Sequence, residues 1–258
     1  MINADWTGVV TWHQGRCGSS VLGSLLNQHS KIQAQNEIFS RYMPRRWGDR
    51  QVPSMRQVLD QTLAKRCKPV LNIEIKSLQA QNRSLYCDCQ LIDWLDLMLS
   101  LGFHRQVVLH RRHGLRRLVS HLMAQRSGVF VQSVQAPVAP REPLLINTAA
   151  IREGAATHDL LHWLDLYAST HQELLHSVER FCLANGLSAP LELIYEDSIE
   201  VDPQQAYQRF CRWLGLEPEP VSIRHRRINP EPLSQLIANW DEVVRLLEPT
   251  PHSWMLLP

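Results

Sequence analysis

Gly8-Val9-Val10-Thr11-Trp12-His13-Gln14-Gly15-Arg16-Cys17-Gly18-Ser19-Ser20-Val21-Leu22-Gly23-Ser24-Leu25-Leu26 is the stretch that decides the fold. Residues Gly8 to Trp12 form a short run rich in apolar and β-branched side chains, which reads as a buried strand. From Val21 the apolar positions return at Leu22, Leu25 and Leu26, a spacing that reads as a helix. Between the two lies a turn carrying Gly15 and Gly18. A strand, a glycine turn and a helix start together make an anion site. Main-chain N–H groups point inward and the helix dipole favours negative charge. Ser19 and Ser20 add hydroxyl donors at the helix start, and Arg16 adds a fixed positive charge. The nucleotide-triphosphate loop has another pattern, G-x-x-x-x-G-K-[ST]. Here Gly15 and Gly18 are three residues apart and no lysine follows Gly18, which argues against ATP or GTP chemistry. An ordinary strand-to-helix turn has the same outline, so the loop alone leaves that reading open.

Working outward, three more stretches read as buried strands: residues 70–75, 106–110 and 191–195. Helical spacing lies between them, at Leu91, Ile92, Leu95, Met98 and Leu99, and again from Leu160 to Val178. A further helix is marked by Asp202 as cap, Pro203 at its first position and Ala206, Phe210, Trp213 and Leu214 on its inner face, with Gly215 ending it. Strands alternating with helices predict an α/β fold, three layers deep, with a mostly parallel sheet covered on both faces. Ligands of such sheets bind beyond the carboxyl ends of the strands. The first three strands are each followed at once by polar or charged residues.

The chain has 258 residues, a length that fits one domain over 1–258. Residues 126–157 stand apart: Pro137, Pro140 and Pro143 interrupt them and periodicity is poor. They read equally as a lid over a substrate site or as a plain surface insertion. The net charge of +2 does not suggest a nucleic-acid partner. No apolar run reaches the length of a membrane span. Met1-Ile2-Asn3-Ala4-Asp5 lacks the basic start and apolar run of a signal peptide, which predicts a cytoplasmic protein with its six cysteines reduced. Cys87-Asp88-Cys89 has no zinc spacing and no second pair, and no metal is expected.

Arginines cluster at 105–117 and at 224–227. Val107-Val108-Leu109-His110-Arg111-Arg112 ends a strand in positive charge, and Ser120 follows Arg112 by eight residues on the next helix. A strand-end arginine and a hydroxyl early on the following helix can converge on one phosphate. Arg105, Arg116 and Arg117 read instead as a solvated basic face.

Three segments taken in order resemble the sulfotransferases that use 3′-phosphoadenosine 5′-phosphosulfate (PAPS). Gly15-Arg16-Cys17-Gly18-Ser19-Ser20 is similar to their 5′-phosphosulfate loop. Arg112 with Ser120 is similar to their 3′-phosphate motif. Leu193-Ile194-Tyr195-Glu196-Asp197-Ser198, continued through Asp202-Pro203 to Leu216, is similar to their Tyr-Glu-Asp strand and the helix after it. The order and spacing fit almost the whole chain. The resemblance implies a P-loop-like sulfotransferase fold without ATP chemistry, PAPS as donor and no metal. It implies that Gly15, Arg16, Cys17, Gly18, Ser19 and Ser20 hold the 5′ end of the donor. Arg112 and Ser120 would hold its 3′ phosphate, and Arg226 and Arg227 are candidates for the basic element that covers it. It also suggests a bacterial enzyme and leaves a homodimer open.

Sulfonate transfer needs the acceptor and leaving oxygens in line, and stabilisation of charge on the leaving phosphate. Arg16 stands where many relatives carry lysine. Its guanidinium stabilises charge but does not readily donate a proton, which favours electrostatic catalysis. Gly114 stands where relatives often have proline, a change a turn tolerates. Glu37 resembles the general base of several bacterial and carbohydrate sulfotransferases. Lys76 resembles their strand-end lysine, placed to neutralise the sulfonate oxygens. His104, His110 and His113 are rival bases. The acceptor expected from the context of Glu37 is a carbohydrate or glycolipid hydroxyl; a lipid, a polyketide or a small phenol stays open. Two other classes compete: a small-molecule kinase, and a non-catalytic nucleotide- or polyanion-binding module.

Overall fold

The computed structural model describes residues 6–78, 81–86, 88–137, 142–154 and 156–257. Met1-Ile2-Asn3-Ala4-Asp5, Cys87 and Pro140 lie outside the described residues. The strands are β1 (Thr7–His13), β2 (Ile32–Gln35), β3 (Val70–Lys76), β4 (Arg105–His110), β5 (Ile151–Glu153), β6 (Ala156–His158) and β7 (Leu191–Ile194). The helices are α1 (Ser19–Leu26), α2 (Pro44–Trp47), α3 (Met55–Leu63), α4 (Leu91–Ser100), α5 (Gly114–Ser127), α6 (Leu160–Ala184), α7 (Tyr195–Ser198), α8 (Pro203–Trp213), α9 (Leu233–Leu236) and α10 (Trp240–Leu247). No helix among the described residues is long and apolar enough to cross a membrane.

Five strands form one parallel sheet in the order β2-β3-β1-β4-β7, while β5 and β6 make a separate antiparallel hairpin. Alternate residues of each central strand face opposite layers. Val10, Trp12, Leu71, Ile73, Ile75 and Val108 meet α3, α4 and the second half of α6. Val9, Val107, Leu109 and Leu193 meet α1 and α8. This gives the three layers that the alternation of strands and helices predicts. Polar side chains inside the sheet satisfy one another across strands: the Thr11 hydroxyl donates to Asn72 Oδ1 at 2.7 Å, and Trp12 Nε1 donates to Gln106 Oε1 at 2.8 Å.

Some boundaries differ from the sequence expectation. β2 has no apolar run to announce it. It is an edge strand, and the amide of Asn27 stands in for a neighbouring strand by donating to the Ala34 carbonyl (2.9 Å) and accepting from the Ala34 N–H (2.7 Å). The strand expected to reach Tyr195 ends at Ile194, and Tyr195 opens a single helical turn. α8 starts as its cap predicts: Asp202 Oδ1 accepts from the Gln204 N–H at 2.9 Å. A third apolar cluster, built from α5, the first half of α6, α9 and α10, includes Leu118, Trp163, Leu236 and Val243.

The described part of residues 126–157 is held by pairing distant in sequence. Ser133 bridges His225 in antiparallel fashion and Leu144 bridges Ile237 in parallel fashion. Such partners, some ninety positions away, leave no local period to read.

Candidate active site

β1 is flanked by β3 and β4, and the chain crosses from β3 past β1 to β4, so the sheet's switch point lies at the carboxyl end of β1. That is where parallel α/β sheets bind ligands. A cleft of about 630 Å³ opens there. Its lining draws on the carboxyl end of every strand of the five-stranded sheet: Gln14, Gly15 and Arg16 after β1, Asn36 and Glu37 after β2, Lys76 ending β3, Arg111 after β4 and Tyr195 after β7.

The turn after β1 is tight because three of its residues are left-handed: Gly15 (φ 81°), Arg16 (φ 56°) and Gly18 (φ 88°). At Gly18 a Cβ would lie 2.8 Å from Ile199 Cγ2 and 3.1 Å from Tyr195 Cδ2, so both the backbone and the packing there require glycine. Ser19 begins α1, and Ser19 and Ser20 face the cleft. The Cys17 side chain does not: it is buried with Val9, Leu22 and Leu193, which leaves only its main chain for a ligand. Arg16 and Glu37 (φ 37°) are the described non-glycine residues with positive φ, and both line the cleft. Backbone held in sparsely populated regions concentrates at functional sites.

Residues picked from separate motifs meet here. Arg16 Nε donates to Ser120 Oγ at 3.0 Å, which joins the loop to the second anion motif. Its Nη1 donates to the Phe130 carbonyl at 2.8 Å. Lys76 Nζ and Glu37 Oε2 pair at 2.9 Å. Burial works against the charge on Glu37, but Lys76, by its charge and its hydrogen bond, holds the carboxyl below the usual range. Arg226 and Arg227 also line the cleft. Arg226 donates to the Ser133 and Val134 carbonyls at 3.0 and 3.2 Å, and Arg227 pairs with Glu200 at 2.7 Å.

Other residues are placed differently from the sequence reading. Arg112 is turned out of the cleft, its guanidinium paired with Asp197. The strand-end arginine that faces the cleft is Arg111, 8% exposed, stacked 4.3 Å over the Tyr195 ring and reaching the Arg16 carbonyl at 3.3 Å. Glu196 explains the Tyr-Glu-Asp triplet physically: its carboxylate accepts from the N–H groups of Arg112 and His113, both at 3.0 Å, and so docks α7 on the turn before α5. Arg117 is not part of a solvated face; it is 1% exposed and paired with Glu153 at 2.9 Å. Arg116 lines the cleft, and Arg105 lies over the Trp213 ring. None of His104, His110 and His113 lines the cleft.

The cleft imidazoles are His121 and His225, neither singled out from sequence. Helical spacing carries a signal for the first: Arg117 and His121, four residues apart, share a face of α5. Burial above all lowers His121 to about 4 and both His110 and His113 to about 3. His110 is also stacked on His171, ring centroids 3.6 Å apart. All three fold in the neutral form. Their folded pKa lies below the unfolded value of 6.5, so their contribution is complete above pH 6.5 and is lost as pH falls from there. We expect Tm to fall steadily between pH 6.5 and 4, with a slope of up to about 1.4 kcal/mol per pH unit for each excluded proton. Thermal melts across that range check it, and a flat profile would contradict the burial of these rings.

No family model and no curated relative matches the chain. Among solved structures it is similar to the crystal structure of a sulfotransferase from Alicyclobacillus acidocaldarius. The TM-score is 0.51 at 13% identity, over 97% of this chain and 94% of that one. At that identity the likeness speaks for architecture: a parallel five-stranded α/β sheet flanked by helices, in the fold of a sulfotransferase.

Proposed function

We propose that this chain transfers a sulfonate group from PAPS to a hydroxyl acceptor. The observation that carries the reading is the direct link between two anion sites, Arg16 of the loop on Ser120 of α5, inside one cleft whose loop lacks the triphosphate lysine. A donor with phosphates at both ends of a ribose needs two such sites a few ångströms apart. Val21, Tyr195, Ile199, Pro203 and Ile223 add an apolar wall suited to a flat base.

The loop N–H groups, Ser19, Ser20 and Arg16 hold the phosphosulfate end. Ser120 holds the 3′ phosphate, with Arg111 beside it, since Arg111 already faces the cleft and Arg112 is engaged by Asp197. Arg226 and Arg227 close over the donor together with Phe130, Val131, Gln132 and Val134, the part of the 126–157 stretch that lines the cleft. The donor supplies an activated sulfonate on a phosphate leaving group. Glu37 takes the proton of the acceptor hydroxyl as its oxygen bonds to sulfur. The sulfur–oxygen bond to the 5′ phosphate breaks, and its electron pair stays on that phosphate. Arg16 and the loop amides meet the growing charge there. Lys76 exchanges its partner Glu37 for the sulfonate oxygens. Around Glu37 the cleft presents Asn36, Ser40, Arg46 and Gln81, hydrogen-bonding groups that suit a polyhydroxylated acceptor such as a carbohydrate or glycolipid.

Calorimetric titration with adenosine 3′,5′-bisphosphate (PAP) and with ATP tests the donor assignment. PAP is expected to bind at least about tenfold tighter, because a second phosphate site rewards it alone. Tight ATP binding without PAP binding would return the reading to a kinase. Isotopically labelled PAPS in cell extracts then shows which molecule gains the sulfonate.

A further inference from the structure

Beneath the loop lies a charged pair with almost no access to solvent, Arg117 and Glu153, each 1% exposed. The Glu153 carboxylate accepts from Arg117 Nη2 (2.9 Å) and Nη1 (3.2 Å), from the Tyr167 hydroxyl (2.5 Å) and from Gln81 Nε2 (2.8 Å). Arg117 also stacks 3.8 Å from the Tyr167 ring centroid. Burial alone would raise the Glu153 carboxyl; Arg117, His121 and the Tyr167 hydroxyl hold it at about 2. Desolvating two charges commonly costs more than their attraction returns, so stability is a weak reason for such a pair. The remaining hydrogen bonds of the cluster give a better one, because they converge on Gln14. Arg117 Nη2 donates to the Gln14 carbonyl, as does Gln81 Nε2 at 3.0 Å, and the Gln14 side-chain amide donates to the Tyr167 carbonyl at 2.8 Å.

Gln14 is the residue from which the loop departs. Its carbonyl and the Gly15 N–H belong to one rigid peptide plane. Fixing the carbonyl from below therefore fixes the N–H, which donates to His13 Nδ1 at 3.0 Å. The left-handed pair Gly15 and Arg16 turns from that plane. Glu153 sits near the end of the 126–157 stretch, and near its beginning the Phe130 carbonyl holds Arg16 Nη1. The stretch thus holds the loop's arginine directly and its root through Arg117 and Gln81.

We propose that Glu153 and Arg117 are positioning residues of the anion loop: the buried pair clamps the Gln14–Gly15 peptide plane and so sets the affinity of the loop for its ligand. Only the identity of that ligand, a phosphosulfate-bearing nucleotide, rests on the proposed function.

Glu153→Gln and the milder Tyr167→Phe test the clamp, with Val178→Ala, a core truncation in α6 on the sheet face away from α1, as a control for lost stability. Two readouts are taken: hydrogen exchange of the loop amides at residues 15–20 without ligand, and PAP affinity by calorimetry. Glu153→Gln is expected to speed loop exchange and weaken PAP binding by at least about tenfold, and Tyr167→Phe by roughly threefold, the scale on which small misplacements act. Val178→Ala lowers Tm but leaves both readouts within about twofold, since it touches no loop contact. Unchanged exchange and affinity in a folded Glu153→Gln protein would overturn the proposal, as would an equal loosening in Val178→Ala. If Glu153→Gln does not fold, Tyr167→Phe decides by the same readouts. Faster loop exchange in a protein whose wild type ignores PAP leaves the clamp standing and removes the donor assignment.

Discussion

Arg16→Ala is expected to slow sulfonate transfer by about a hundredfold to a thousandfold, the usual cost of removing one preorganised group from developing charge. The side chain is fixed before any ligand arrives: Nε is on Ser120 and Nη1 is on the Phe130 carbonyl. Burial, then the neighbouring Arg111, lowers its pKa, yet a guanidinium keeps its charge in proteins. Alanine takes the same left-handed backbone position at no greater cost, so the loss reports the side chain and not the turn. Arg16→Lys separates charge from shape. Lysine restores the charge and adds a transferable proton, but it cannot hold Ser120 and Phe130 at once. We expect it to recover most of the rate and little of the PAP affinity. The measurement is turnover of labelled PAPS with the acceptor found in the extract screen, beside PAP titrations. Wild-type turnover in Arg16→Ala would refute the electrostatic role.

Glu37→Gln is expected to lower turnover by about a hundredfold to ten-thousandfold, the range of general acid–base catalysis, while PAP affinity stays within about twofold. Glu37 follows β2 and the phosphate loop follows β1, so donor and base stand on separate strand ends. The amide keeps the shape and a hydrogen bond to Lys76 but cannot accept the hydroxyl proton. A pH test gives the sign. In the free enzyme Lys76 holds the Glu37 carboxyl below its ordinary value, so the base stays ionised and kcat/KM falls only in acid, as pH drops through that lowered pKa. Lys76→Met removes the charge while burial remains, which raises the pKa and moves the acid limb of the rate profile to higher pH. An acid limb that stays in place would mean that another group takes the proton; His121 is the cleft imidazole nearest in sequence to Ser120.

The parts of this site that act locally were legible in the sequence. The strand before the loop, the two glycines, Arg16 and the serines that open α1 sit within fourteen consecutive residues, Thr7 to Ser20. Short-range sterics and helix-end hydrogen bonding dictate their conformation. Asp202 and Pro203 announced α8 for the same reason. Glu37 was found through the family resemblance and Lys76 as the polar residue after a strand, though nothing in their spacing said that they touch.

Tertiary structure decided the rest. Arg111 rather than Arg112 faces the cleft because Arg111 continues the alternation of Val107 and Leu109, the face that α1 covers, while Arg112 finds Asp197 eighty-five positions away. The alternation is in the sequence; which face α1 covers is not. Arg117 sits in a run of arginines that composition assigns to solvent, and only the return of Glu153 from a hairpin thirty-six positions on makes its burial tolerable. The sequence by itself determined a glycine turn between strand and helix at the head of a parallel sheet, because that turn is made by neighbours. The fold alone decided which charges face the ligand and which hold the loop in place, because desolvation is set by whatever packs above a residue.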